Sequence, residues 1–191
     1  MQKGQLPPCG VDAVIDQERL LVSFDGDADR IVFHKFKKDG SWTLYDGDKI
    51  ASLASLVIAT ELEEAQLVAE FSIGCVQTAY ANGASTAFLR SKNIPVAFAK
   101  TGVKYLHHKA EDFDVGVYFE ANGHGTVLFS ERIIERLKAM QVSGLNSDRK
   151  ALAVRRLLGC VNVVNQAVGD ALSDMLLSLA SMKVMNFLNF S

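Results

Sequence analysis

Short apolar runs alternate with polar segments between residues 71 and 129, and this alternation limits the folds open to the chain. Runs such as PVAFAK and VGVYFE are too short for a helix but long enough for a buried strand. The segment ANGASTAFLRSKN, between FSIGCVQTAY and PVAFAK, has the length of a short helix. TGVKYLHHKAEDFD is interpreted as a loop and TVLFS as a closing strand. Strands that alternate with helices predict an α/β fold with a mixed sheet and flanking helices.

The residues before this region predict a smaller group of strands. RLLVSF (19–24) has the character of a buried strand, and IVFHKFK and SWTLYDGD, joined by the turn KKDG, predict a hairpin. The next segment, KIASLASLVIATELEEAQ, has apolar residues at helical spacing, with Asp48 as its predicted N-cap. A seam is therefore expected at residues 45–48. From Glu131 the pattern is helical, with an interruption around VSGLNSD.

Charge and hydropathy exclude several classes of protein. The 191 residues carry a net charge of −2 and a pI of about 6.1, which gives no reason to expect nucleic acid or an anionic membrane as partner. The longest uncharged stretch, residues 71–89, is too polar to span a bilayer. The N-terminal MQKGQLPPCG contains no apolar segment of the secretory kind. Three separated cysteines without CxxC spacing predict reduced thiols and a cytoplasmic location.

The stretch FDGDADR (24–30) places three aspartates, Asp25, Asp27 and Asp29, at alternate positions after an apolar run. If the loop curls, the three carboxylates gather around one point. Each pair of charges at ~4 Å then costs roughly 4 kcal/mol at an effective dielectric of about 20. A hard divalent cation removes this cost, and Mg²⁺ suits a site with a few carboxylates and open positions for water or phosphate oxygens. The loop therefore predicts a magnesium site.

Three other kinds of loop share part of this pattern. A calcium-binding EF-hand loop requires Gly at position six and Glu at position twelve, where this chain has Arg30 and Phe36, so that interpretation fails. A phosphatase of the haloacid dehalogenase type and a solvated acidic turn both remain open. Arg30 has two possible roles, gripping phosphate oxygens through its guanidinium or forming a structural salt bridge with one of the aspartates.

A second polar loop lies in YFEANGHGTVLF, directly after an apolar strand. Glu120, Asn122 and His124 stand at alternating positions and offer donors and acceptors for sugar hydroxyls or an amide. Gly123 and Gly125 are expected to let the backbone approach a ligand closely. The alternative is a well-hydrogen-bonded surface turn.

Taken together, these stretches resemble the α-D-phosphohexomutase superfamily, and most closely its members that interconvert the 6- and 1-phosphates of N-acetylglucosamine. The resemblance runs from about Ser23 to Leu177. The stretches that carry it are SFDGDADRIVF, DGDKIA, VQTAYANGAST, KTGVKYLHHKAEDFDVGVYFEANGHGTVLFS and NQAVGDALSDMLL. It implies that residues 1–47 are the end of the superfamily's second domain, with the metal loop. Residues 48–191 would be its third domain, with the sugar-recognition loop and C-terminal helices.

The resemblance also assigns roles to individual residues. A Thr-Gly-x-Lys loop maps to residues 101–104 and places a lysine near the reacting phosphate. A lysine in a glycine-hinged loop also suits charge stabilisation in phosphoryl transfer. The alternative is an exposed, solvated lysine. His107 and His108 are neighbours, so at most one can face the site, and core or surface roles are favoured. The implied set is Mg²⁺ on Asp25, Asp27 and Asp29, catalytic roles for Arg30 and Lys104, and substrate contacts from Thr101, Gly102, Glu120, Asn122 and His124.

Two motifs of such enzymes do not occur in the sequence. These are the Thr-Ala-Ser-His segment that carries the phosphorylated serine and the Arg-x-Ser-Gly-Thr loop that grips a phosphate. The expected function is thus a central fragment of a mutase that binds a phosphorylated amino sugar, in UDP-N-acetylglucosamine synthesis, but is inactive alone. The alternatives are a non-catalytic protein that binds Mg²⁺ and a phosphosugar, or a phosphatase with an aspartate nucleophile. Unpaired sheet edges in the first 47 residues are expected to seek a partner.

Overall fold

The structure is a computed structural model that describes residues 7–142 and 149–186. Its strands are β1 (Leu21–Phe24), β2 (Ile31–Phe36), β3 (Trp42–Tyr45), β4 (Ile73–Thr78), β5 (Val96–Ala99), β6 (Val115–Phe119) and β7 (Gly125–Phe129). Its helices are α1 (Gly47–Glu64), α2 (Gly83–Ser91), α3 (Val103–Ala110), α4 (Glu131–Val142), α5 (Arg149–Val163) and α6 (Ala171–Val184). The interruption predicted around VSGLNSD lies at 142–148, almost wholly outside the described residues.

The larger sheet has the strand order β5-β4-β6-β7. Strand β4 pairs in parallel with β5 and β6, whereas β6 and β7 are antiparallel, so the predicted mixed sheet is confirmed. Alternate residues of each strand face opposite layers. Cys75 and Val117 belong to the main core with α1, while Val76 and Tyr118 pack under α3 with Leu106.

The smaller sheet is antiparallel, in the order β1-β2-β3, which confirms the predicted hairpin. Ile31 and Phe33 of β2 are buried in the same core cluster as residues of α1 and α6. His34, on the opposite face of β2, is also fully buried and lies near the ring of Trp42. The hairpin is therefore packed against the α/β unit through one shared apolar cluster.

Two sequence predictions about helices were wrong. The first turn of α1 is capped by Asp46, whose carboxylate accepts a hydrogen bond from Lys49 N at 3.1 Å. The predicted cap, Asp48, is buried instead, and its carboxylate accepts a hydrogen bond from Asn82 N at 2.8 Å. The segment interpreted as a loop after β5 contains α3, because Leu106 and Ala110 fall one turn apart and both pack on the sheet.

No helix in the described part of the chain combines the length and the apolar character needed to cross a bilayer. Cys9, Cys75 and Cys160 are all free, in agreement with the expectation of reduced thiols. Burial raises the pKa of the Cys75 thiol to about 12, so this cysteine is an apolar core residue with no thiolate character.

Asp174, in the first turn of α6, is a fully buried carboxyl group. Neither of its oxygens accepts a hydrogen bond from any described residue. Burial raises the pKa of Asp174 to about 8, and the neighbouring charge of Asp170 adds to the rise. Asp174 is therefore mainly protonated and uncharged in the folded protein at neutral pH.

Replacing Asp174 with asparagine, which has the shape of the protonated acid, is expected to remove a pH dependence of stability. The folded chain binds this proton more tightly than the unfolded chain, so wild-type stability falls as pH rises from about 4 to about 8 and then levels off. At about pH 9 the variant should exceed wild type by a few kcal/mol, as an order of magnitude. Urea unfolding across this pH range measures the difference.

The matched control is Asp112→Asn, which removes a carboxylate from an exposed side chain. It should keep the wild-type slope of stability against pH. Parallel profiles for Asp174→Asn and wild type would show that the buried carboxyl does not titrate as described.

Candidate active site

The carboxyl ends of β4, β5 and β6 lie at one edge of the larger sheet, because these strands run parallel. The loops that leave this edge include residues 100–102 after β5 and residues 120–124 after β6. Residues 25–30, called here the aspartate loop, join β1 to β2 and lie next to the second of these loops. Polar residues from three separate stretches thus meet at one sheet edge.

The aspartate loop does gather its three carboxylates. One ligand oxygen from each of Asp25, Asp27 and Asp29 lies within 4.8 Å of the others. The loop curls through Ala28, which adopts a left-handed conformation at φ 58°. The carboxylate oxygen Oδ1 of Asp25 closes the turn by accepting hydrogen bonds from the backbone N–H groups of Asp29 and Arg30, each at 3.1 Å.

Arg30 supplies the positive charge among these acids. Its Nε lies 3.6 Å from Asp25 Oδ2 and 3.6 Å from Asp29 Oδ1, while about half of its side chain remains exposed. The guanidinium can therefore pair with the aspartates and still present N–H groups to a ligand. Burial opposes ionisation of Asp25, but the backbone hydrogen bonds from Arg30 and Asp29, a side-chain hydrogen bond with Asp29 and the charge of Arg30 together outweigh it and lower the pKa of the Asp25 carboxyl.

The donor set fits a hard divalent cation. All three groups are carboxylates, and Asp27 is exposed with room for further ligands. Asp29 Oδ1 is a buried oxygen that accepts no hydrogen bond from the described residues. Its neighbouring cation, Arg30 Nε, lies 3.6 Å away, too far for a hydrogen bond, so this oxygen can still accept a bond from water or a metal ion. The geometry of the loop is therefore suited to Mg²⁺.

Residues 120–125, the EANGHG loop, are held by their own hydrogen bonds. Glu120 N donates to His124 O at 2.8 Å, and Gly123 N donates to Glu120 O at 2.8 Å. The side-chain oxygen of Asn122 accepts a hydrogen bond from His124 N at 2.9 Å. The loop is thus a well-bonded turn, and this turn presents the side chains of Glu120 and Asn122 at the sheet edge.

The two loops are joined by backbone and side-chain contacts. Ile31 N donates to Gly123 O at 3.2 Å, next to a β-bridge between Arg30 and His124. His124 Nδ1 lies 3.5 Å from Asp29 Oδ2, and the imidazole is mostly buried. The candidate metal ligand Asp29 is therefore in direct contact with a residue of the EANGHG loop.

The glycines of this loop have a structural role that the sequence did not predict. Gly123 has φ 92°, and a Cβ there would lie 1.9 Å from Ile31 O. A Cβ on Gly125 would lie 2.1 Å from Tyr118 O. Both glycines are required where protein backbone approaches protein backbone, and a close approach of this backbone to a ligand stays a prediction.

The Thr-Gly-x-Lys loop reaches the same site through Glu120. Gly102 N donates to Glu120 Oε1 at 3.1 Å, and Gly102 has φ 117°, a conformation that favours glycine. Thr101 and Lys104 are exposed beside this contact. One carboxylate oxygen of Glu120 therefore fixes the start of α3, the helix that carries Lys104.

The two histidines of α3 make local contacts, as the sequence favoured. His107 Nδ1 lies 2.9 Å from the hydroxyl oxygen of Tyr118, which is buried under α3. His108 is exposed and lies 3.1 Å from Glu111 through its Nδ1. His107 thus anchors α3 to the sheet, and His108 is a surface residue.

Residues 165–171 also belong to the site, and no periodic pattern predicted them. This stretch, the bridging segment, runs along β7 and ends at α6. Thr126 Oγ1 donates to Asn165 O at 2.9 Å, and Phe129 N donates to Gln166 Oε1 at 2.7 Å. At the other end of the segment, Ala171 N donates to Ala28 O of the aspartate loop at 2.9 Å. The one sequence signal was the stretch NQAVGD, quoted above within the resemblance.

This combination of fold and loops is that of the α-D-phosphohexomutase superfamily. A crystal structure of N-acetylglucosamine-phosphate mutase, a member of that superfamily, in the apo form matches the chain with a TM-score of 0.88 at 40% identity. The match covers 97% of this chain and 40% of that one.

The particular family follows from the comparisons within the superfamily. A family model described as "Phosphoacetylglucosamine mutase AMG1, domain III" matches residues 46–187. The chain belongs to the phosphoacetylglucosamine mutase family.

Relatives of known identity agree with this assignment. Phosphoacetylglucosamine mutase of Homo sapiens is 49% identical over 173 residues, which is 90% of this chain and 31% of the human protein. The Saccharomyces cerevisiae enzyme is 45% identical over 192 residues, 93% of this chain and 34% of the yeast protein. The crystal structure of Aspergillus fumigatus N-acetylphosphoglucosamine mutase in complex with GlcNAc-6P and magnesium has a TM-score of 0.88 at 40% identity, covering 97% of this chain and 34% of that one. The chain spans about a third of the length of these relatives.

Replacing Gly123 with alanine is expected to destabilise the chain by about 2–4 kcal/mol, because the new Cβ meets backbone and the φ angle is unfavourable. The new Cβ would lie 1.9 Å from Ile31 O, and this clash causes the loss of stability. Thermal unfolding followed by circular dichroism measures the loss.

Gly83→Ala is the control, since a Cβ there meets no atom within 4 Å. This variant should unfold at or above the wild-type temperature. An unchanged midpoint for Gly123→Ala would mean that the two loops are not packed as described.

Proposed function

We propose that the chain supplies the metal-binding and sugar-recognition loops of a phosphoacetylglucosamine mutase, which interconverts the 6- and 1-phosphates of N-acetylglucosamine in UDP-N-acetylglucosamine synthesis. The observation that carries the proposal is the contact between the aspartate loop and the EANGHG loop, made by Asp29 and His124 at 3.5 Å. A phosphosugar that spans both loops would meet a cationic site at one end and hydroxyl-binding groups at the other. Family membership supports this substrate class.

Asp25, Asp27 and Asp29 are the residues proposed to hold Mg²⁺. Their clustered carboxylates and the unsatisfied oxygen of Asp29 support this assignment. When bound, Mg²⁺ would neutralise negative charge on a phosphoryl group during its transfer. The related Aspergillus fumigatus structure contains magnesium together with GlcNAc-6P, which is consistent with the same use here.

The chain's own cations are proposed to bind and orient the phosphate. Arg30 keeps about half of its side chain exposed beside the aspartates, so its guanidinium can donate to phosphate oxygens. Lys104 stands exposed in the first turn of α3, where the bond between Gly102 N and Glu120 Oε1 fixes the helix start. Positive groups placed before the reaction stabilise developing charge without reorganising.

The sugar ring is proposed to lie against the EANGHG loop. Glu120, Asn122 and His124 provide carboxylate, amide and imidazole groups for its hydroxyls and acetamido group. Glu120 uses one oxygen for Gly102 N, and its second oxygen lies 3.5 Å from Asn122 Nδ2. A sugar hydroxyl could replace that long contact with a shorter hydrogen bond. Thr101, exposed before α3, is the remaining proposed contact.

The division of the chain remains a proposal, with residues 1–47 as the end of a second domain and 48–191 as the third. The family model begins at residue 46, close to this seam. In the smaller sheet, β1 and β3 each pair with one described neighbour, so their outer edges are proposed sites of association. A cytoplasmic location is supported by the three free cysteines.

Wild-type chain is expected to bind Mg²⁺, and Asp27→Asn should weaken this binding about tenfold or more, because it removes one charged ligand. Asp27 is exposed, so the change should leave the fold intact. Titration calorimetry measures the affinity. Asp39→Asn, in an exposed hairpin turn, is the control and should bind as wild type does. Absence of heat from Mg²⁺ in the wild-type titration would refute the proposed metal site.

The 191-residue chain is expected to bind acetylglucosamine 6-phosphate without converting it. Mutase chemistry needs a phosphorylated serine as donor, and the sequence contains no Thr-Ala-Ser-His segment. Incubation with the phosphosugar and Mg²⁺, followed by quantification of the 1-phosphate, tests this. Turnover at a rate of about 1 per second or faster, the ordinary range for enzymes, would contradict the expectation.

A further inference from the structure

The bridging segment, residues 165–171, has a role that the proposed function does not use. It is fixed at one end to β7 through Asn165 and Gln166, and at the other to the aspartate loop through the bond from Ala171 N to Ala28 O. Between these anchors lies Gly169. The segment therefore has little freedom to move away from whatever Gly169 contacts.

Gly169 faces the place where the two functional loops meet. A Cβ at this position would lie 2.6 Å from Cδ2 and 2.7 Å from Nε2 of the His124 imidazole, and 3.2 Å from Asp29 O. Carbon atoms in real proteins do not approach so closely. The φ angle of Gly169 lies outside the left-handed range, so conformational freedom does not explain this glycine. What the position requires is the absence of a side chain.

The imidazole of His124 is confined between Gly169 and Asp29. Its Cδ2 and Nε2 edge faces the glycine, while its Nδ1 lies 3.5 Å from Asp29 Oδ2. A Cβ on Gly169 would push on the Cδ2 and Nε2 edge of the ring. This push would change the contact between His124 Nδ1 and Asp29. Residues that contact a metal-binding carboxylate set its orientation and affect affinity for the ion.

We propose that Gly169 is a positioning residue: by leaving room for the His124 ring, it sets that ring against Asp29 and so orients one carboxylate of the aspartate loop. Contacts around the His124 ring then connect the bridging segment, the aspartate loop and the EANGHG loop. A residue proposed to bind the sugar, His124, thus contacts a residue proposed to bind the metal, Asp29. The consequence for metal binding rests on the proposed function, whereas the placement of the ring does not.

The placement is tested without metal, by NMR of the histidine side chains in the purified 191-residue chain. Gly169→Ala should shift the His124 imidazole signals, while those of His34, His107 and His108 serve as internal references. Gly159→Ala is the matched control, because a Cβ at Gly159 meets no atom within 4 Å. Unchanged His124 signals in folded Gly169→Ala would overturn the proposal.

The consequence is tested with Mn²⁺ as probe, its affinity measured by electron paramagnetic resonance. Gly169→Ala should weaken Mn²⁺ binding about tenfold, the usual size of effects from residues behind metal ligands, and Gly159→Ala should not. His124→Ala removes the clash with the ring and leaves only the 3.2 Å approach to Asp29 O, so Gly169→Ala should weaken binding much less in that background than in wild type. Equal losses from Gly169→Ala in both backgrounds would show that the glycine does not act through His124.

A second measurement covers the case in which Gly169→Ala does not fold. Addition of Mg²⁺ to wild type should then shift the His124 signals and leave His107 and His108 unchanged, because of these three only His124 contacts Asp29. Mg²⁺ binding with no response from His124 would overturn the proposal. If wild type binds neither ion, the proposed metal site is wrong. The metal-free NMR result then decides whether Gly169 places the His124 ring.

Discussion

The close approach of Ile31 to Gly123 is the contact on which the rest of the site depends. It joins Ile31, the first residue of β2, to the loop after β6. It also leaves no space for a Cβ on Gly123. It adds a direct backbone link between the two loops to the shared apolar cluster and the bridging segment, which also hold the hairpin against the α/β unit. Through this backbone contact the aspartate loop and the EANGHG loop form one continuous surface. Asp29 and His124 are in contact on that surface.

Electrostatics within the aspartate loop depends on that framework. Three carboxylates within 4.8 Å repel one another, and the loop offsets part of this repulsion with Arg30 and with backbone N–H groups aimed at Asp25. The remaining acceptor capacity, at Asp29 Oδ1, is what a divalent cation would use. By contrast, the buried carboxyl of Asp174 has no such compensation and is kept neutral by a raised pKa. The same residue type thus serves a charged surface site and an uncharged core position.

Much of the candidate site was evident from local sequence. The spacing of Asp25, Asp27 and Asp29 indicated a metal loop, and the apolar runs indicated the strands of a mixed sheet. The predictions were wrong where one stretch of sequence was compatible with two local structures. Asp46 and Asp48 are both plausible caps, and only the packing of Asp48 against the start of α2 separates them. In the stretch that contains α3, the apolar positions are few, so helical periodicity was weak until the sheet supplied a surface for Leu106.

The sequence by itself determined the type of most elements and the chemistry of each loop, with α3 the exception, because strand patterns, turn residues and clustered acids are properties of neighbouring positions. Only the tertiary structure decided which loops share a site, since that depends on strand order and on backbone approach between residues far apart in the chain. Gly123 and Gly169 show the difference. Each is an ordinary glycine in the sequence, and each is required by an atom contributed from a distant segment, Ile31 O in one case and the His124 ring in the other.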